Sequence, residues 1–221
     1  MKTAIVLGAT GLVGQNIVKI LLDDPRYSKI KIFVRRATGM KHPKLEENLV
    51  DFDALDGWKR LLSGDELFSA MGTTAKDAGS KEAQNKVDYT YQYQVAKACA
   101  ENEVSSYFLV SSSGADPKSQ IFYSRIKGEL EVAVSKLAFE NIAIFQPSVL
   151  LGKRERPRFL EEIAGKFTIF LTQKLHLLKR YRPIKGADVA QAMVNAANWE
   201  RKERFARYEL NEIHEMCGVQ K

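Results

Sequence analysis

Glycine governs the first turn of this chain. An apolar β-type run, Thr3–Leu7, passes directly into Gly8-Ala9-Thr10-Gly11-Leu12-Val13-Gly14, and an amphipathic segment, Val13–Leu22, follows. A strand, a G-x-x-G-x-x-G turn and a helix in immediate succession describe the first βα unit of a dinucleotide-binding sheet. Gly8 permits the tight turn, Gly11 lets backbone approach a pyrophosphate, and Gly14 lets the helix lie close on the sheet. The first N–H groups of the helix and the positive end of its dipole then face the phosphates. Gly8, Thr10, Gly11, Leu12, Val13 and Gly14 form the expected phosphate cradle. The bland alternative is a glycine-rich βα turn without a ligand, and the placement between strand and helix argues against it.

The rest of the chain continues the alternation. Further strands are expected at Lys29–Val34, Asn48–Val50, Glu66–Met71, Ser106–Ser111 and Ile142–Gln146. Amphipathic helical segments are expected at Leu55–Leu62, Lys81–Glu101 and Phe122–Phe139. Strand and helix alternating in this way require crossover connections and a parallel sheet. The strands are almost wholly apolar (AIVL, KIFV, YFLV, IAIF), as when both faces are covered. The expected fold class is therefore α/β, a doubly wound parallel sheet of the Rossmann type. After Pro147 a helix is expected near Phe159–Gly165, another near Ala187–Asn198, a strand at Ala206–Leu210, and a last helix capped by Asn211. Residues 148–221 read as a small substrate-side cap. No linker or repeat divides the 221 residues, so 1–221 reads as one domain.

Composition adds bounds. Apolar residues are 45% and charged residues 28%, typical of a globular protein. Cys99 and Cys217 have no metal or disulfide spacing, and read as free thiols in a reducing compartment. No run approaches the roughly 18 to 20 apolar residues of a membrane span, and the glycine-broken start does not read as a signal peptide. The expected location is the cytoplasm. The net charge of +7 favours anionic partners, including a phosphorylated cofactor or an acidic metabolite. The basic clusters at Lys153–Arg158, Lys179–Arg182 and Arg201-Lys202 lack aromatic interleaving or a nucleic-acid motif, and read foremost as solvated surface. His42, His176 and His214 are too scattered for a metal site. Trp58 and Trp199 read as packing or interface residues, and the chain as a monomer or homodimer.

Cofactor choice rests on the end of the second strand. An acid about 20 positions past the glycines would accept from the ribose 2′-OH of NAD. This chain instead has Arg35 and Arg36, whose planar donor forks suit a 2′-phosphate, so NADP(H) is the expected cofactor. Asp51, at the end of the third strand, can accept from the adenine amino group with Phe52 over the ring; Asp53 could equally cap the next helix. Met71 and Gly72 end the fourth strand and are expected to line the cofactor.

Catalytic chemistry converges on the same sheet edge. Ser111, Ser112 and Ser113 end the fifth strand, and Tyr123 and Lys127 lie one turn apart on the next helix. Tyrosine in water titrates near 10, too high for a neutral-pH proton shuttle, and a neighbouring lysine cation lowers such a value. Tyr123 is the expected proton donor to a carbonyl as hydride arrives. Lys127 is expected to hold the nicotinamide ribose, and Ser112 or Ser113 to steady the developing oxyanion.

With these residues in place, the chain resembles the short-chain dehydrogenase/reductase superfamily. GATGLVG, DFDAL, MGTT, SSSGAD, FYSRIKGELE and FQPSVLLGKRE in that order resemble its atypical subgroup, which contains the human Tat-interacting tumour-suppressor oxidoreductase-like protein and its bacterial relatives. The resemblance implies NADPH contacts from the glycine turn, Arg35, Arg36, Met71, Gly72, Tyr123 and Lys127, and from Leu150 and Arg158 after the sixth strand. It also places Asp88 where many members carry a proton-relay asparagine. Gln146-Pro147 stands where extended members commonly have Arg-Pro, which weakens a nucleotide-sugar epimerase or dehydratase reading. The leading expectation is an NADP(H)-dependent oxidoreductase acting on a small carbonyl or alcohol. The alternatives are a cofactor-binding sensor or interaction module, and the epimerase.

Overall fold

The computed structural model describes residues 1–152, 182–200 and 203–218. Among them runs a seven-stranded sheet built from β1 (Lys2–Leu7), β2 (Tyr27–Val34), β3 (Leu45–Leu49), β4 (Glu66–Ser69), β5 (Ser106–Val110), β6 (Asn141–Gln146) and β9 (Phe205–Glu209). The order is β3-β2-β1-β4-β5-β6-β9 and every recorded pairing is parallel. This is the doubly wound sheet expected from the alternating pattern. β7 (Leu150–Leu151) and β8 (Ile184–Lys185) form a separate two-stranded parallel pair.

Period-two alternation sends successive side chains into two cores. Ala4 and Val6 pack with Ile17, Val18 and Leu21 of α1 (Gly14–Asp23). The same core continues through Val189 and Met193 of α6 (Gly186–Ala197) to Ile213 of α7 (Leu210–Gly218). Ile5 and Leu7 enter the opposite core with Val95 and Cys99 of α4 (Tyr91–Glu101) and Leu130 and Val134 of α5 (Phe122–Val134). The short helices α2 (Ala75–Ala78) and α3 (Lys81–Asn85) precede α4. Sheet order reverses between β1 and β4, so the crevice at their carboxyl ends is where such sheets take a ligand.

Several elements differ from expectation. β3 begins at Leu45, not Asn48, because this polar edge strand is only half-buried and carries no apolar signal. Leu55–Leu62 is not an α-helix but two 3₁₀ turns, Phe52–Gly57 and Lys59–Leu61. Trp58 separates them: it stacks on Phe33 with ring centroids 5.3 Å apart, and its Nε1 donates to the Asp51 carbonyl at 2.8 Å. The Lys81–Glu101 helix is interrupted by a π-helical turn, Lys86–Thr90. Asn211 does not cap the last helix but lies inside it; the Glu212 carboxylate accepts from the Glu209 N–H at 2.7 Å and closes that end. The helix expected near Phe159–Gly165 and the site residue Arg158 lie outside the described residues.

A buried polar cluster ties the opposite edge of the sheet. Tyr27 donates to Glu66 Oε2 at 2.6 Å, Lys2 donates to Glu66 Oε1 at 2.6 Å, and Asn198 donates to the Tyr27 hydroxyl at 3.1 Å. Burial outweighs these partners and raises the Glu66 carboxyl above the usual 4.5. An acid raised on folding supports stability fully below its unfolded value and loses that support as pH climbs through the folded value. Glu66→Gln is therefore expected to flatten the stability-versus-pH curve just above 4.5. Urea melts across that range check this; an unchanged slope would refute it.

Candidate active site

The glycine turn is compact because each glycine faces backbone. Gly8 has φ +74°, and a Cβ there would lie 2.6 Å from the Ala70 carbonyl carbon at the end of β4. A Cβ on Gly14 would lie 2.1 Å from the Gly8 oxygen. The Gly11 N–H turns inward to Gly8 O at 2.8 Å, which takes it out of the expected donor set. Thr10 is exposed at the tip of the turn. No side chain caps the start of α1, and Val13, with helical dihedrals, precedes it. The N–H groups of Gln15, Asn16 and Ile17 close onto the Gly11 and Val13 carbonyls, so a pyrophosphate here would draw on the positive end of the helix dipole and on the backbone of the Leu12-Val13-Gly14 turn.

Leu12 does something the motif does not announce. Its side chain is buried and seated between two later glycines. A Cβ on Gly152 would lie 2.3 Å from Leu12 Cδ1, and one on Gly186 would lie 2.7 Å from Leu12 Cγ. Leu12 thus joins the phosphate turn to β7 and to the start of α6. Leu150, on β7, is half-buried beside the same core. Only the glycines themselves hinted at this contact, since they stand at the ends of short elements.

Arg35 and Arg36 follow β2 directly and are exposed. Asp51 is exposed too, but its carboxylate already accepts from the Asp53 N–H at 2.9 Å and caps the first 3₁₀ turn. Phe52 is not free to cover an adenine ring: it is buried against Trp58 and Tyr91, with ring centroids 5.5 and 5.4 Å away. Asp53 caps nothing; it pairs with Lys86 at 2.6 Å and accepts from the Tyr91 hydroxyl at 2.8 Å.

At the other end of the crevice the structure gathers Met71, Gly72, Asp88, Tyr123 and Lys127. Lys127 Nζ stands 2.9 Å from Asp88 Oδ1, with side chains 3% and 1% exposed. The contact is an ion pair by distance more than a well-directed hydrogen bond. Asp88 Oδ2 accepts from the Thr73 N–H at 2.9 Å. The π turn presents Asp88, and such turns recur at functional sites. Gln92 steadies it, donating to the Asp88 carbonyl at 2.8 Å while accepting from Ser69 Oγ at 2.8 Å. Gly72 covers the pair: a Cβ there would lie 3.1 Å from Asp88 Oδ1 and 3.8 Å from Lys127 Nζ. Tyr123, one turn before Lys127, is 38% exposed, with Lys127 Nζ 5.9 Å from its ring centroid.

The serines divide. Ser111 is buried and donates to Glu131 Oε1 at 2.5 Å. Ser112 and Ser113 are half-buried at the strand end, where Ser113 N–H donates to the Pro147 carbonyl at 2.9 Å. Glu131 was not among the expected residues. It lies one turn beyond Lys127 and also accepts from Gln146 Nε2 at 2.8 Å and Arg207 Nε at 3.1 Å. Its one sequence signal is an acid continuing the Tyr123, Lys127 spacing on a helix whose neighbouring core positions are apolar. Gln146 is thereby committed to the helix, not to a ligand.

Residues 8–144 match the model of a family described as NAD(P)H-binding. The chain belongs to this NAD(P)H-binding family. Its relatives include "Protein FMP52-1, mitochondrial" from Scheffersomyces stipitis, 34% identical with 88% of each chain covered. "Protein FMP52, mitochondrial" from Candida albicans is also 34% identical, covering 87% of this chain and 86% of its own. The expected cytoplasmic location is corrected by these relatives, whose names place them in mitochondria. Among solved structures, Bordetella bronchiseptica WbmH in complex with NAD+ superposes with a TM-score of 0.69 at 16% identity, over 95% of this chain and 75% of its own. A short-chain dehydrogenase/reductase superfamily protein from Agrobacterium tumefaciens with bound NAD gives 0.67 at 14% identity, over 94% and 77%. These two likenesses establish the Rossmann-type fold. Among the described residues no helix is long and apolar enough to cross a membrane.

Proposed function

We propose that this chain is an NADP(H)-dependent oxidoreductase of the atypical short-chain dehydrogenase/reductase type, working in mitochondria on a small carbonyl or alcohol. The observation that carries the reading is the Tyr123–Lys127 turn, with Lys127 fixed by Asp88 beneath Gly72 at the crevice end. The uncapped start of α1 takes the pyrophosphate, and the exposed Arg35 and Arg36 take the 2′-phosphate. When bound, the reduced dinucleotide would supply a hydride to the carbonyl carbon. Tyr123 gives its hydroxyl proton to the carbonyl oxygen, and recovers one from solvent through its exposed side. Ser112 or Ser113 donates a hydrogen bond to the same oxygen. Lys127 holds the nicotinamide ribose. The net charge of +7 suits an anionic small-molecule substrate. The relatives' names support the mitochondrial assignment.

The test is NADPH and NADH titration together with NADPH consumption over a carbonyl panel. Arg35→Ala/Arg36→Ala is expected to weaken NADPH at least tenfold while leaving NADH within about twofold, since only the 2′-phosphate draws on the two guanidinium groups. Equal NADPH and NADH affinities in the parent protein would sink the cofactor choice. Tight NADPH binding without turnover of any carbonyl would favour a cofactor-binding sensor.

A further inference from the structure

The Asp88–Lys127 pair raises a question of charge that the proton-donor role of Tyr123 leaves open. A lysine cation at the nicotinamide end treats the two cofactor states unequally. The oxidised ring carries a positive charge and the reduced ring carries none. An uncompensated buried cation would repel the first and ignore the second, and with little water nearby that difference is large. Here the cation is compensated within 2.9 Å by a carboxylate as buried as itself. The position of that carboxylate is over-determined: Thr73 N–H binds its second oxygen and Gln92 holds its backbone carbonyl. Gly72 lies against the pair without a side chain of its own, since a Cβ there would stand 3.1 Å from Asp88 Oδ1 and 3.8 Å from Lys127 Nζ. Glu131, the next acid along the helix, accepts from Ser111 and Gln146 and pairs with Arg207, so its charge is spent away from Lys127.

We propose that Asp88 is a charge-compensating residue that sets the balance between oxidised and reduced dinucleotide, letting the site hold NADP+ nearly as well as NADPH. This rests on the reading that the nicotinamide lies at Tyr123 and Lys127. The consequence is an enzyme able to run in either direction rather than one committed to reduction.

The experiment measures the ratio Kd(NADP+)/Kd(NADPH) by titration of the full chain. Asp88→Asn keeps the shape and removes the negative charge, and is expected to raise the ratio about tenfold. Lys127→Met removes the positive charge, leaves Asp88 uncompensated, and is expected to lower it. Asp88→Asn/Lys127→Met is neutral again and is expected to return within about twofold of the parent. Replacing Lys127 also weakens the hold on the ribose, but both cofactor states share that ribose and the effect cancels in the ratio. If Asp88→Asn does not fold, the Lys127→Met shift and its reversal in the double variant decide the matter. A ratio unmoved in variants that still bind both nucleotides would overturn the proposal and leave the oxidoreductase reading standing. A parent protein that binds neither nucleotide would overturn that reading itself.

Discussion

Gly14→Ala is expected to lower stability by about 3 kcal/mol and to abolish dinucleotide binding. The sign is not obvious from propensity, because alanine in a helix is normally favoured over glycine by about 1 kcal/mol. Steric overlap decides it. The added Cβ would sit 2.1 Å from the Gly8 carbonyl oxygen, and no flexible side chain is there to yield. The helix must move off the sheet or the turn must open. Opening the turn is costly as well, since Gly8 is itself pressed against the Ala70 and Met71 backbone. Either response carries the helix N-terminus away from the phosphates. A fall in melting temperature of roughly 10 °C follows for a domain of this size, and calorimetry together with NADPH titration would measure both effects. An alanine variant as stable as its parent would show that the turn is looser than described.

Tyr123→Phe is expected to reduce carbonyl turnover by about 10²- to 10⁴-fold, the usual worth of a positioned proton donor, with NADPH affinity and melting temperature nearly unchanged. The aromatic ring stays, and with it the contact to the Lys127 ammonium. The hydroxyl removed belongs to a side chain 38% exposed, so little packing depends on it. Single-turnover hydride transfer, followed at the nicotinamide absorbance, separates this from a binding defect. Turnover equal to that of the parent would remove Tyr123 from the mechanism.

The parts of this molecule legible in sequence are those where one physical rule acts alone. Strands buried on both faces, such as Ser106–Val110, are written as unbroken apolar runs. The glycine turn and the Tyr123–Lys127 spacing are local, each written within a few residues of chain. What escaped reading depends on distant partners. Trp58 turns an amphipathic stretch into two 3₁₀ turns because Phe33, on another strand, offers a stacking face. The π turn at Lys86–Thr90 has no composition of its own; Gln92, bonded to Ser69 across the layer, supports it. Phe52 looked free to meet a base because its aromatic neighbours are remote in sequence. Ser111, left out of the oxyanion pair in sequence, is held by Glu131, a partner 20 residues on that no local pattern announces. The cytoplasmic expectation failed for a different reason: an address is read by other proteins and need leave no mark on the packing of the domain.

The seat of Leu12 between Gly152 and Gly186 makes three positions into one inherited unit. At 152 an added Cβ meets only the Leu12 side chain, whereas at 186 it would also lie 2.9 Å from the Leu12 carbonyl oxygen, so a smaller residue at 12 eases the first and not the second. A smaller residue at 12 also opens a hole under the nucleotide turn, so sequences of this family should keep glycine at 186 and exchange 12 and 152 together. A chimera that grafts residues 148–218 from a relative onto residues 1–147 of this chain would have to carry over the matching residue 12 to keep its cofactor.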